Sequence, residues 1–223
     1  MTMLSQNQTK QQLVEAAHYL AEHGLLFRGN HANLSAKVGD NHIIMTKGGS
    51  IENLTLDDFA LVDLNGTVIE GEMEPTMKEI IEMHTGIYRV RDSVGSVIHT
   101  HAPHVTAFGV AQKPIPLIYE PLLRFGVSEP IPVVPWAPRG SRASVDSIIE
   151  IAQNHRGLPA LMMANHGVLV FNDTPMRTAS LLGTLDEAAE LYIMAASLGG
   201  AKELPAQAID QVKERMMAFG SSR

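Results

Sequence analysis

In the stretch SVIHTHAPHVTA, residues 96–107, three of the chain's ten histidines fall within six positions: His99, His101 and His104. The residues just before them are apolar and β-branched, which is the composition of a strand. Side chains two apart on a strand share a face, so His99 and His101 project together, and two imidazoles on one rigid face can grip one metal ion. The same spacing also fits a polar strand end that holds nothing. Zinc-type sites in enzymes commonly use three protein ligands and keep a fourth position open for water or substrate. The best third ligand is His166, in MANHGVLV, between apolar runs and beside a glycine that allows a tight turn. His18 and His23 on the first helix, His42 in a hairpin and His155 near a polar helix end fit poorly. The chain has no cysteine, so thiolate ligands, a Cys nucleophile and disulfides are excluded, and any metal must be held by His, Asp or Glu.

The elements that must position these residues follow from periodicity and punctuation. Leu13, Ala16, Ala17 and Leu20 give a helix over 9–23, ending at Gly24. GNHANLS, residues 29–35, is a turn opening a strand, and AKVGDNHIIMT is a hairpin turning at Gly39-Asp40-Asn41. Thr46-Lys47-Gly48-Gly49 is a second glycine turn. TLDDFALVDLNGTVIEG predicts a short helix, a strand, an Asn65-Gly66 turn and another strand. TMKEIIEMHTGIYRVR is a helix with Ile80, Met83, His84, Ile87 and Val90 as its apolar stripe. SVGSVIHTH is a strand and HVTAFGVA a helix. Seven prolines between 113 and 139 favour loops and edge strands. Residues 144–155 form a helix, PALMMANHGVLVF two strands around Asn165-His166-Gly167, and 175–198 a long helix broken at Gly183. This mixed order predicts an α/β or α+β fold with a largely antiparallel sheet.

The 223 residues, 45% hydrophobic and 18% charged, suit a globular protein with a sizeable core. No repeat, low-complexity tract or linker divides the chain, so one domain over 1–223 is expected, with 1–8 and 205–223 peripheral. A net charge of −7 without a Lys/Arg stripe argues against a nucleic-acid partner. No apolar run approaches the roughly 18 residues of a membrane span, and the polar start MTMLSQNQTKQQ has no signal-peptide core, so a cytoplasmic protein is expected.

Five segments, in order, carry a family resemblance: AHYLAEHGL; HANLSAKV with MTKGG; MHTGIYRVRDSVGSVIHTHAPHVTAFGV; PIPLIYE with VPWAPRGS; and MMANHGVLVF with DEAAELY. Over roughly residues 10–200 the chain resembles the class II aldolase/adducin family. The resemblance implies a three-layer α/β/α fold around a mainly antiparallel central sheet. It implies a divalent cation on His99, His101 and His166, Zn2+ first, with Mn2+, Co2+ or Fe2+ as alternatives. It also implies a small-molecule substrate and a cyclic homotetramer with active sites at subunit interfaces. The family's acidic catalytic residue lies shortly before the position of His84. Glu79 stands one residue further away than that pattern, an offset a local helical bulge would absorb, and Glu82 competes with it. Where phosphate-using members carry a serine pair, this chain has Thr76-Met77-Lys78, which puts a phosphate substrate in doubt while leaving Lys78 as an anion contact. The turns at Asn33 and at Thr46, Lys47, Gly48 and Gly49 match the family's anion-binding loops, whose physical basis is exposed backbone N–H groups. Tyr119, one position out of the family pattern, is the candidate proton donor from a neighbouring subunit, with Tyr192 second. Trp136 and Arg139 are expected near a pocket rim, where Arg139 would suit a carboxylate, a surface ion pair being the alternative that comes first. His84 is expected to pack and His104 to lie beside the site at most.

These residues predict a metal-dependent carbon–carbon lyase acting on a small hydroxy-carbonyl or sugar-type compound through a metal-stabilised enediolate, with Glu79 moving the proton. Aldol cleavage comes first, then decarboxylation of a keto or hydroxy acid, then epimerisation or dehydration. Adducin's head domain supplies a different class, a binding module, which has no need of the three histidines.

Overall fold

The structure, a computed structural model, describes residues 5–28 and 31–220, so Gly29 and Asn30 of the expected GNHANLS turn lie outside the described residues. Each short apolar run finds an antiparallel neighbour. The strands are Ala32–Val38 (β1), His42–Thr46 (β2), Phe59–Asp63 (β3), Val68–Glu70 (β4), Ser96–Thr100 (β5), Val133–Val134 (β6), Ala160–Met163 (β7) and Gly167–Asn172 (β8). They form one eight-stranded sheet in the order β4-β3-β2-β1-β5-β8-β7-β6, antiparallel throughout except for β6 beside β7. Gly39 and Gly66, with φ of 65° and 90°, sit in the turns of the β1–β2 and β3–β4 hairpins, where an L side chain would be strained.

Side chains alternate between two cores, one on each face of the sheet. On one face Leu34, Ala36, Ile98, Val168 and Val170 pack under helices Gln6–Glu22 (α1), Pro103–Ala111 (α4) and Pro175–Ala195 (α6). On the other Ile43, Met45, Val97, Leu169 and Phe171 pack under Ile81–Val90 (α3) and Arg142–Asn154 (α5). This is the expected three-layer arrangement. Every residue of β5 is buried because both faces are covered, its polar Ser96 and Thr100 included.

Several elements depart from the sequence reading. The first helix starts at Gln6 rather than 9, because the Ser5 hydroxyl accepts from Gln8 N–H while the Gln8 side chain accepts from Ser5 N–H, a reciprocal cap. The short helix expected before β3 is instead a turn, closed by Asp58 Oδ2 accepting from both the backbone and the hydroxyl of Thr55 at 2.7 Å. α6 runs unbroken through Gly183: the glycine admits the Tyr19 hydroxyl of α1, which would lie 3.2 Å from an added Cβ. Residues Ala208–Gly220 form a further helix (α7), lying against the 3-10 segment Glu120–Phe125. The helix expected over 76–91 is split into Pro75–Lys78 (α2) and α3, with Glu79 and Ile80 between them. No described helix is long and apolar enough to cross a membrane.

Gly95 binds β5 to both neighbours: its carbonyl accepts from Lys37 N–H at 2.8 Å and its N–H donates to Asn172 O at 2.9 Å. A Cβ there would lie 2.1 Å from Asp173 O, a backbone atom. Gly95→Ala is expected to lower stability by about 1–3 kcal/mol or more, as overpacking does. The urea midpoint of the purified variant measures this directly.

Candidate metal and catalytic site

His99 is the fourth residue of β5 and His101 lies just past its end. Their rings meet edge-on with centroids 5.1 Å apart. β7 returns to β8 through Ala164-Asn165-His166, with Asn165 in the left-handed region at φ 55° and its N–H donating to Gly109 O. That turn carries the His166 ring to 4.9 Å from His99 and 5.2 Å from His101. One ring nitrogen from each histidine lies within 4.8 Å of the other two. The approach is close because residue 167 is glycine. A Cβ there would lie 2.5 Å from Thr100 O, 2.6 Å from His101 Cδ2 and 3.2 Å from His99 Cε1.

The three rings have the chemistry of cation ligands. His99 Nδ1 donates to Val168 O at 2.9 Å, which leaves Nε2 as the lone-pair nitrogen. His101 Nε2 is buried and has no hydrogen-bond partner in the protein, an orphaned polar atom that a cation would satisfy. Burial holds all three imidazoles neutral: His99 well below the usual histidine range, His101 down to about 4, and His166 lowered as well, with mutual repulsion adding at His99 and His101. Neutral imidazole is the ligand form, so the residues fit a divalent cation.

The histidines open onto a cavity of about 420 Å³. Glu79 lines it, and Glu82 does not. Glu82 instead pairs with Arg89 on the outer side of α3. Glu79 falls in the gap between α2 and α3 and, though exposed, lines the cavity. The loop after β6 braces it. Arg139 Nη2 donates to Thr76 O at 3.0 Å, and Gly140, at φ 69°, packs so closely that a Cβ would lie 2.9 Å from that of Glu79.

Of the other expected contacts, Asn33, Gly49 and Arg139 line the cavity. The structure does not bring Thr46, Lys47, Gly48 or Lys78 to it. Thr46 is buried, its hydroxyl accepting from Leu34 N–H. Lys47 Nζ donates to Asp57 O at 2.8 Å in a separate groove. Gly48 faces Glu74, whose Oε1 would lie 2.6 Å from an added Cβ, and Lys78 is exposed. Tyr119 is not among the residues lining the cavity of its own chain. Its hydroxyl bonds Glu187, and burial first, then that carboxylate, raises its pKa. Tyr192 stacks edge-on against Phe108. Trp136 is exposed and does not line the cavity. His104 points away from the site, donating to Asp186, which also accepts the His104 and Val105 N–H groups and so caps α4 from α6. His31 lines the cavity although the sequence reading passed over it. Its position two before Asn33 was the available signal, since both fall on one face. His84 does more than pack. It is fully buried, held neutral with a pKa near 3 by burial, and bonded to Asn33 at 2.6 Å.

Comparison with known proteins shows the family. A family model described as the class II aldolase and adducin N-terminal domain matches residues 11–193. The chain belongs to the class II aldolase/adducin family. It is 30% identical over 167 residues to an L-fuculose phosphate aldolase of Methanococcus maripaludis, covering 74% of this chain and 87% of the relative. It is 27% identical over 212 residues to a 5-methylthioribulose-1-phosphate/5-deoxyribulose-1-phosphate aldolase of Rhodospirillum rubrum, covering 94% and 91%. A solved L-fuculose 1-phosphate aldolase superposes with a TM-score of 0.82 at 24% identity, over 96% of this chain and 98% of that one. The chain is thus an enzyme of class II aldolase type.

Two outcomes follow for the site. Wild-type protein is expected to retain stoichiometric divalent metal by elemental analysis, and His101→Ala and His166→Ala to lose it without unfolding. The cation-free protein should also be acid-labile. The unfolded chain protonates these histidines near pH 6.5, whereas the fold holds His84 neutral to about 3 and His101 to about 4. Protons therefore favour the unfolded state between those limits, and stability falls as pH drops below 6.5, by up to about 1.4 kcal/mol per pH unit for each such group. Denaturant midpoints at pH 7 and pH 5 test this, with His84→Gln giving a shallower decline.

Proposed function

We propose that the protein is a divalent-metal-dependent carbon–carbon lyase that cleaves a small hydroxy-carbonyl or sugar-type compound in an aldol sense. The observation that carries the reading is the convergence of three neutral imidazoles and the Glu79 carboxylate on one cavity. A divalent cation held by His99, His101 and His166, Zn2+ before Mn2+, Co2+ or Fe2+, supplies Lewis-acid stabilisation of negative charge developing on substrate oxygen. Glu79 moves the proton at the substrate carbon that carries charge once the C–C bond breaks. Asn33 donates to a substrate oxygen, the Gly49 turn flanks it, and Arg139 orients the far end of the molecule. The apolar floor of Met77, Ile80 and Ile148 keeps water from the reacting carbon.

The chain works in this proposal as a single-domain cytoplasmic enzyme in a cyclic homotetramer, with Tyr119 of a neighbouring copy serving as the proton donor that its own cavity lacks. Exposed Leu191, Ile193 and Met194 at the end of α6, with Leu198 just beyond it, support association through that region. Decarboxylation of a keto or hydroxy acid is the second reading, favoured by the guanidinium of Arg139 on the cavity wall.

Removing the metal with a chelator is expected to abolish turnover across a panel of sugar-type and keto-acid substrates, with recovery on adding Zn2+. Turnover that persists without metal overturns the reading. Glu79→Gln should lower kcat by about 10²–10⁴ while metal content is kept, and Glu82→Gln should leave kcat near wild type.

A further inference from the structure

Beneath the cavity, four polar side chains are buried in a line. Asn33 Oδ1 is 2.6 Å from His84 Nε2, His84 Nδ1 is 2.7 Å from Ser35 Oγ, and Ser35 Oγ is 2.9 Å from Tyr88 Oη. Asn33 is 7% exposed, Ser35 and His84 0%, and Tyr88 2%. They come from two elements only. Asn33 and Ser35 lie two apart on β1, hence on one face, and His84 and Tyr88 lie four apart on α3, hence on one side of the helix.

The line has one direction. An amide oxygen only accepts, so His84 Nε2 carries the hydrogen that bonds Asn33. Nδ1 of the neutral ring is then an acceptor, and the Ser35 hydroxyl donates to it. Ser35 Oγ has lone pairs left, and the Tyr88 hydroxyl donates into them. Each buried group is satisfied only in this order. Were the Asn33 amide to turn over, the His84 proton would have to move to Nδ1 and donate to Ser35, and the Ser35 and Tyr88 hydroxyls would then share a single bond, leaving one buried hydroxyl hydrogen with no acceptor in the line. The amide is therefore locked with its NH2 turned from His84 toward the cavity that Asn33 lines. Asn33 also stands opposite His99 in the β1–β5 register, so that NH2 lies on the face that carries the metal-ligand imidazole.

We propose that His84, Ser35 and Tyr88 are positioning residues: their one-way hydrogen-bond line holds the Asn33 amide so that its NH2 donates to an acceptor oxygen of the substrate beside His99. This rests on the lyase reading for the substrate, but the line itself is a property of the fold. It selects substrates that present a carbonyl, hydroxyl or carboxylate oxygen at this point and rejects those that present an ammonium or amide NH2 there, since that would set donor against donor.

The test uses the full-length, zinc-loaded protein. Two-bond 1H–15N correlation spectra of the histidine rings are expected to show His84 as the Nε2–H tautomer, and the Nδ1–H tautomer would overturn the proposal whatever the enzyme turns over. On the substrate found in the panel above, His84→Leu should raise KM about tenfold, the loss of one oriented hydrogen bond, with kcat within about twofold. His84→Gln keeps an N–H donor for Asn33 and should recover most of that loss. Tyr88→Phe, which removes only the terminal donor, should fall between wild type and His84→Leu. A His84→Gln variant as impaired in KM as His84→Leu, or a KM that moves only in step with melting temperature, overturns the proposal. If His84→Leu does not fold, the tautomer and Tyr88→Phe decide it. If no panel substrate is turned over, the lyase reading falls and the tautomer still decides the line.

Discussion

The structure depends on how closely β8 begins against the end of β5. With a Cβ at residue 167 only 2.5 Å from Thr100 O and 2.6 Å from the His101 ring, there is no room for any side chain there. Because the strand starts on a glycine, the β7–β8 turn can lie flat over the end of β5, and His166 lands beside two histidines that are far from it in sequence. An alanine would have to lift the turn or push the rings apart. The central strands, antiparallel on either side of β5, keep that contact from drifting, because a slip of one residue would send His99 into the opposite core.

From this contact outward, burial falls off from His99 to the half-buried His101 and His166. His99 is 5% exposed and lies at the end of a strand buried on both faces. Burial keeps the imidazoles uncharged, which is what a cation needs from them, and the Val168 carbonyl fixes which nitrogen of His99 is free. The Glu79 carboxylate has a different origin. Glu79 belongs to a defect between two helices and is braced by the Arg139-Gly140 loop rather than by a regular element. One of the three imidazoles thus stands on a strand and the other two just beyond strand ends, while Glu79 sits in the short gap between two helices.

Much of this was legible in the sequence. The period of two in SVIHTH placed His99 and His101 on one face, and the glycine after His166 marked the third ligand. A helix over this stretch was legible, but its division at Glu79 and Ile80 was not, since no glycine or proline marks the place. Other features were not legible because they depend on which way a long side chain turns. Lys47 and Lys78 carry the charge an anion site wants, yet one reaches for Asp57 O and the other for solvent. His84 reads as one more position in an apolar stripe, since the partners that make it a polar node, Ser35 and Asn33, come from a strand 49 and 51 residues away in sequence. Gly183 looks like a helix breaker until Tyr19 of another helix fills the space beside it.

The two outermost strands of the sheet are its shortest. β4 has three residues, and β6 has two, set between Pro132 and Pro135. Proline cannot donate to a further strand, and two residues are too few to template one. A chain arriving at the β6 margin finds almost no ladder to join, so that edge resists growth by adding sheet to sheet. The proline-rich stretch that looked like mere connection is therefore also a guard at that edge against stacking into fibres.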